Sequence, residues 1–480
     1  MMAWEALLPL RPEFALLALA ILVLLMGIVG RVPRSGPAGW GRGIAWVTLI
    51  GLVAIFGFTF YVDEGSLLGA TFVLDGLAMF AKRLFLASAA LSVLGSLAMQ
   101  QPAFNRRAGE YHFALLVSLL GMLVLASARE LVTLFVAFEL MSIPLFLLTG
   151  FLKRDAVAPE AALKFFLVGT ASSAVIVYGM SFVYGVTGST LLDSIPAAMA
   201  EGHPLMMLGM ALLLAGLGFK IAAFPFHMWA PDTYEAASTP FVAWLSVAPK
   251  AAGFVALIRL YVEGVGSAAL VWMPVVSVLA GMTIVTGNLM AIPQQNIKRM
   301  LAYSGVAHIG YMLVGFAALS SSGVAMMLFY LVAYMFGNMG AFLVVEAVAR
   351  AEGSDGIDAY RGLAQRSPLL ALAMLIFLLS LGGIPFVAGF WAKLYVFWAA
   401  IERGLYGLVF LGALLTVVAL YYYLLVARRM YIEPPERPEP VPVPAPLGVA
   451  IALCVLGVVG IGVYPGPWVD LALRVATTLF

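Results

Sequence analysis

One cysteine, four histidines and a charged fraction of 10% leave a chain of 480 residues little for metal or redox chemistry. The lone Cys454 lies in an apolar run, which excludes a disulfide framework, a cysteine-ligated iron–sulfur cluster and a cysteine zinc site within this chain. No cofactor or metal is therefore expected in it. A formal net charge of +2 offers no basic surface for nucleic acid, and no nucleic-acid partner is expected. The sequence holds no phosphate loop, no dinucleotide glycine pattern after a strand, and no nucleophile–base–orienter set. Long polar stretches are missing as well. The longest are "RVPRSGPAGWGR", the segment around "EGSDGIDAYRGLAQRSP" and the proline-rich "YIEPPERPEPVPVPAP", so no soluble domain interrupts the chain.

What is present is apolar. Hydrophobic residues make up 63% of the chain and mean hydropathy is +1.05, against roughly half apolar in soluble domains. Runs long enough to cross a bilayer core, about 20 helical residues, recur from end to end. The expected fold is an all-α polytopic membrane protein of about 14 transmembrane helices. They fall near 14–30, 43–62, 73–99, 111–128, 131–150, 159–186, 203–225, 240–263, 270–292, 300–320, 323–348, 368–398, 404–428 and 444–466. Barrel strands would alternate polar and apolar, and these runs do not.

The first run is followed by Arg31, Arg34 and Arg42, the reverse of a cleavable signal peptide, and is expected to stay as the first helix. Basic residues recur in alternate links: Arg106 and Arg107; Lys153 and Arg154; Lys298 and Arg299; Arg350, Arg361 and Arg366; Arg428, Arg429 and Arg437. The positive-inside rule makes those links cytoplasmic and both termini periplasmic in a bacterial inner membrane.

Two segments share an unusual composition: "LGFKIAAFPF" in the seventh run and "LGGIPFVAGFWAK" in the twelfth, each with glycine, proline and lysine in a lipid-like stretch. Interrupted helices at matching places in two halves point to inverted repeats with ion handling at the breaks. The expected organisation is helices 1–3 over 1–105, a first five-helix repeat (helices 4–8) over 106–263, a second (helices 9–13) over 264–430, and the proline-rich link with helix 14 over 431–480. Helices 7 and 12 are expected to be broken.

A charge at the bilayer centre costs about 2.5–3.5 kcal/mol on the lenient insertion scale, so each needs a partner, a wet cavity or an interface. Glu139, Lys164, Lys220, Lys250, His308 and Lys393 all lie inside apolar runs. Lys82, Arg83, Arg259 and Glu346 sit nearer expected helix ends and are assigned to interfaces. Prolines sharpen the set. Pro225 withdraws a donor from the Ile221 carbonyl beside Lys220, Pro249 does the same for Leu245 beside Lys250, and Pro385 loosens the backbone before Lys393. Such backbone is tolerated at membrane depth only inside protein or along a wet cavity. Desolvation favours a neutral amine and a nearby carboxylate favours the ammonium, so a buried Lys–Glu pair is a tunable proton site. Glu139 with Lys220 is the candidate pair. His308 can accept and donate a proton as neutral imidazole.

The stretches "FKIAAFPFHMWAPDTYEAASTPFVAWLSVAPKAAGF", "QQNIKRMLAYSGVAHIGYMLVG", "ELVTLFVAFELMSIPLFLLTGF" and "GGIPFVAGFWAKLYVF" resemble the antiporter-like membrane subunits of respiratory complex I, the proton-pumping NADH:quinone oxidoreductase. The resemblance covers roughly 105–430. "SVAPKAAG" and "RDAVAPEAALKFFLVGTASSA" are most similar to the subunit N branch of that family. It implies that Glu139 and Lys220 match the family's paired carboxylate and lysine, Lys250 its connecting lysine, Lys393 its exit-side lysine, Lys164 a helix 6 lysine, and His308 a motif position. It implies M-like, K-like, A-like and J-like membrane subunits as partners beside the lipid bilayer. FMN, iron–sulfur clusters and quinone would belong to the assembled complex, outside this chain. The alternatives are a subunit of a multi-subunit cation/proton antiporter, or of a ferredoxin- or hydrogenase-linked relative. A membrane scaffold with merely paired charges and an independent solute transporter are further classes. The scaffold predicts that neutralising Lys220 damages assembly alone, and the transporter lacks a polar cluster shaped for a solute.

Overall fold

The computed structural model describes residues 7–29, 39–67, 69, 71–99, 102–152, 157–264 and 269–480. The basic residues Arg31, Arg34, Lys153 and Arg154, on which part of the orientation argument rests, lie outside the described residues. Among the described residues thirteen helices are long and apolar enough to cross a membrane, and a shorter apolar helix, Pro368–Gly382, belongs to the broken twelfth run. The chain is thus a helical multi-pass membrane protein. It divides into two compact units: residues 1–221 with 248–268, and residues 222–247 with 269–480.

The first unit contains α1 (Arg11–Val29), α2 (Gly39–Phe58), a short antiparallel hairpin of β1 (Gly65–Leu67) and β2 (Phe72–Leu74), α3 (Gly76–Ser96), α4 (Ala108–Ser127), α5 (Leu131–Thr149), α6 (Val157–Thr187) and α7 (Pro204–Ile221). The chain leaves this unit at Ile221. It forms α8 (Trp229–Ala236) and α9 (Thr239–Leu245) in the second unit, then returns as α10 (Ala248–Leu257), which ends in a π-helical turn, Ile258–Glu263. The second unit continues with α11 (Ala269–Ala291), α12 (Ile297–Ala317), α13 (Ser321–Glu352), α14 (Pro368–Gly382), α15 (Ala388–Glu402), α16 (Tyr406–Tyr431), α17 (Ala445–Val463) and the short α18 (Gly466–Thr477). Nothing in the sequence analysis foresaw the strands. They are three residues each and end at Asp75, whose carboxylate caps α3 by accepting from the Ala78 amide.

Both units repeat one local design. In the first, Glu130 caps α5 through its side chain and forms an antiparallel bridge with Leu191, beyond the 31-residue α6. In the second, Asn296 caps α12 and bridges Gly356, beyond the 32-residue α13. The backbone bonds correspond one to one: Leu131 N to Thr190 O and Leu192 N to Arg129 O, against Ile297 N to Asp355 O and Ile357 N to Gln295 O. In each case the long helix is followed by a broken one.

The breaks have local causes. Helix α7 stops at Ile221 because Ala222 takes φ +60°, so Pro225 falls in the non-helical link 222–228 instead of inside a helix running to 225. The eighth run splits after Leu245, and Pro249 is the second residue of α10, a position where its missing N–H costs nothing. Helix α14 ends at Gly383 (φ +82°), and the link through Pro385 and Phe386 (φ +72°) leads into α15. Gly389 lets α15 start against the end of α14, since a Cβ there would fall 1.8 Å from the Ser380 carbonyl oxygen.

Candidate functional site

Lys220 occupies the last turn of α7 and is buried to 1% exposure. Its Nζ donates to Ser142 Oγ at 2.6 Å and lies 5.0 Å from the Phe138 ring centroid. The Ser142 hydroxyl in turn donates to the Phe138 carbonyl at 2.5 Å, so its lone pairs are turned to the lysine. Glu139 stands one helical turn before Ser142 on α5, half-buried, and accepts a hydrogen bond from Ser173 on α6. The expected Glu139–Lys220 pair is therefore not a direct ion pair. Ser142 on α5 binds the lysine and Ser173 on α6 binds the carboxylate, with the two charged groups within electrostatic reach. Pro144 lies inside α5 two residues beyond Ser142 and leaves the Leu140 carbonyl without its helical donor.

Lys250 is buried to 1% exposure in the first turn of α10. Gly253, one turn on, brings α10 against the end of α7: a Cβ there would lie 2.6 Å from Ile221 Cγ2 and 3.7 Å from Lys220 Cβ. The first unit thus collects Glu139, Ser142, Lys220 and Lys250 around the broken end of α7.

Lys164 does not join them. Its side chain is 52% exposed on α6 and pairs with Glu160 at 2.9 Å, one turn away on the same outward face. Its sequence neighbours are apolar, yet α6 turns Leu163, Phe166 and Leu167 outward too. The opposite correction applies to residues assigned to interfaces. Lys82 is fully buried against Glu13 at 2.6 Å. Arg259 is fully buried too. It donates bidentately to Asp75 at 2.6 and 2.7 Å, to Glu263 at 2.6 Å and to the Ala126 carbonyl. Burial pushes the Asp75 carboxyl up, but hydrogen bonds and charge from Arg259 outweigh it and hold Asp75 below the ordinary carboxylate value.

The second unit has its own polar interior. Lys393 on α15 is 4% exposed; its Nζ donates to the Leu381 carbonyl at 2.9 Å and the Gly382 carbonyl at 3.3 Å. These oxygens are free because α14 ends there, and a cation at a helix C-terminus is favoured by the backbone dipoles. The ammonium also lies 4.7 Å from the Tyr311 ring centroid. The Tyr311 hydroxyl meets Asn288 Nδ2 at 3.3 Å and Thr416 Oγ1 at 3.2 Å, and the Tyr422 hydroxyl donates to Asn288 Oδ1 at 3.1 Å. His308, 3% exposed, contacts Tyr330 through Nδ1 at 2.8 Å and Tyr423 through Nε2 at 3.2 Å, and Tyr423 meets Ser304 at 2.5 Å.

Ser142, Ser173, Asn288 and the tyrosines escape notice in the sequence, since neutral hydroxyls and amides in apolar runs carry no charge signal. Ser142 was findable: "ELMSIP" puts it one turn from Glu139 and just before a proline. The "APDTYEA" motif has a structural part. Asp232 and Glu235 bind Arg299 at 2.8 and 2.7 Å, while Lys298 pairs with Asp355 at 3.0 Å.

Each unit thus holds a buried amine with hydroxyl or carbonyl partners beside a broken helix. The family profile described as "NADH:quinone oxidoreductase/Mrp antiporter, TM" matches residues 128–419. The chain is similar to NADH-quinone oxidoreductase subunit N of Heliobacterium modesticaldum, with 43% identity over 98% of this chain and 100% of the relative. A chain in the structure of respiratory complex I from Thermus thermophilus with bound aureothin superposes with a TM-score of 0.80 at 32% identity, covering 96% of this chain and 99% of that one. A chain of the Mrp complex from Dietzia shares the fold, with a TM-score of 0.84 at 21% identity and coverage of 99% and 97%.

Proposed function

The chain belongs to the family of NADH:quinone oxidoreductase and Mrp antiporter membrane subunits, and from that premise we propose that it works as a proton-translocating, subunit N-like component of an NADH:quinone oxidoreductase. It is part of a translocase whose electron transfer takes place in other subunits, so FMN, iron–sulfur clusters and quinone are assigned to the assembled complex.

The observation that carries this reading is Lys220, buried at the broken end of α7 and hydrogen-bonded to Ser142, with Glu139 one turn away. Moving Glu139 toward Lys220 favours the ammonium, and moving it away favours proton release from Nζ. Ser142 relays between them because its hydroxyl accepts from the amine and can rotate to donate. Lys250 extends the path from Lys220 in the first unit. In the second unit His308 exchanges a proton through either ring nitrogen, and Lys393 gives and takes protons against the carbonyls that end α14. Glu139, Lys220, Lys250, His308 and Lys393 are the residues proposed for the path, while Lys164 is proposed to face a neighbouring subunit. The helix breaks marked by Pro225, Pro249 and Pro385 supply the free backbone. A sodium site would need several oxygen ligands together, and a single carboxylate among lysines is a poor one.

The matched caps, bridges and long helices support reading the two halves as inverted five-helix repeats over 106–263 and 264–430, flanked by 1–105 and 431–480. Five is an odd number, which reverses the second repeat across the membrane. The proposed setting is a bacterial inner membrane with periplasmic termini and M-like, K-like, A-like and J-like subunits as neighbours. Purifying the tagged chain from native membranes tests this. Flavin and iron–sulfur absorbance with NADH:quinone activity in the eluate is the expected result; a cofactor-free assembly contradicts it and favours the antiporter.

A further inference from the structure

We infer that Glu13 and Lys82 form a second proton-exchange site, at the end of the first unit where α1 and α3 begin. The inference rests on the proton-translocating reading above and adds a site to it. Among the described residues this is the one Lys–carboxylate ion pair in which both side chains are buried, 4% and 0% exposed, with Nζ and Oε1 2.6 Å apart. By contrast, Lys220 meets a serine and Glu139 is held by another.

The valences of the pair are open. A lysine ammonium carries three donors, yet among the described residues its Nζ faces, beyond Glu13 Oε1, only the Phe72 ring, 5.0 Å from the centroid. Glu13 Oε2 is buried without a hydrogen-bond partner among the described residues. A buried ion pair that only braces two helices offsets its desolvation when the remaining lone pairs and protons are satisfied, and here they are not. Proton transfer relieves this. The Nζ–H bond breaks, an Oε1–H bond forms, and a neutral amine and a neutral carboxylic acid remain with no change in net charge. That neutral pair accepts a proton at Nζ or releases one from the carboxyl group to water.

The surroundings supply a fixed field. Asp75 caps α3 two turns before Lys82, and its side chain is 25% exposed. From Asp75 a ladder of alternating charges runs through Arg259, Glu263 and Arg129 to Asp193, 70% exposed, with contacts of 2.6, 2.6, 2.8 and 3.9 Å. Guanidinium groups keep their protons, so Arg259 holds Asp75 as a fixed carboxylate. The charges within reach of Lys82 are Glu13, Asp75 and Arg259. Arg83, its neighbour on α3, turns away to Thr59 and the Phe60 ring.

The test uses the whole complex reconstituted in vesicles, with NADH-driven acidification read per assembled complex. Glu13→Leu with Lys82→Met removes both titratable groups and leaves no unpaired charge, while Glu13→Lys with Lys82→Glu keeps both groups in reversed places. The expected result is at least a twofold loss of pumping in the apolar double variant and recovery of most of it in the reversed one. Normal pumping in the apolar variant, while Lys220→Met has lost it, overturns this site and leaves the main reading standing. Normal pumping in Lys220→Met sinks the main reading instead. If the apolar variant does not assemble, infrared difference spectra of Glu13→Asp decide: a protonated-carboxyl band displaced from its wild-type position supports the site, and unchanged spectra overturn it.

Discussion

At the scale of the residue, the central feature is a lysine that reaches a serine before it reaches a carboxylate. Ser142 fixes Lys220 Nζ at 2.6 Å while Glu139 is tied to Ser173. Ser142→Ala is expected to leave assembly intact, because alanine suits a mid-helix position and adds no volume, and to lower pumping several-fold, with Ser142→Thr restoring it; equal pumping in all three removes the relay. Lysines inside apolar runs were legible because charge at that depth is costly and seldom incidental. Their direction was not. Lys164 and Lys82 look alike in sequence, yet one faces outward with Glu160 on its own helix and the other is buried against Glu13 from a different helix. Partners that distant leave no local signature.

At the scale of the element, breaks place the ammonium groups. Gly383 at φ +82° ends α14 so that the Leu381 and Gly382 carbonyls can receive Lys393. Gly383→Ala is expected to cost about 1–2 kcal/mol for an alanine in the left-handed region. It also crowds Lys393 Cδ, 3.0 Å from the new Cβ, so thermal stability and pumping should fall together. Gly389→Ala is more severe, since its Cβ meets the Ser380 carbonyl oxygen; a destabilisation of about 3 kcal/mol is expected in the unfolding midpoint of the complex. Proline and glycine announced these breaks in the sequence. The π-helical turn Ile258–Glu263 was not announced, because nothing in "IRLYVE" differs from an ordinary helix end; it is set by Arg259 reaching Asp75, Glu263 and Ala126 at once.

At the scale of the whole molecule, each unit is anchored by its own charged cluster at a helix end. Arg259→Leu strips the cation from Asp75 and Glu263 and leaves two partly buried carboxylates facing one another's field, an expected loss of about 3 kcal/mol, visible as a lower melting temperature of the complex. Asp75 has its carboxyl held low by Arg259, so its contribution is present above the ordinary carboxylate range and is lost as pH falls through the lowered value. The number of helices and the two breaks were legible from hydropathy and from proline. The exit of residues 222–247 into the second unit was not, since long-range packing decides which unit a short helix joins. The claim on which the account depends is that Lys220 handles protons and does not merely brace the bundle. Lys220→Met, purified as an assembled complex and reconstituted in vesicles, is the most direct test. The expected result is normal subunit content with NADH-driven pumping reduced at least tenfold; normal pumping per assembled complex would show that Lys220 only braces the bundle.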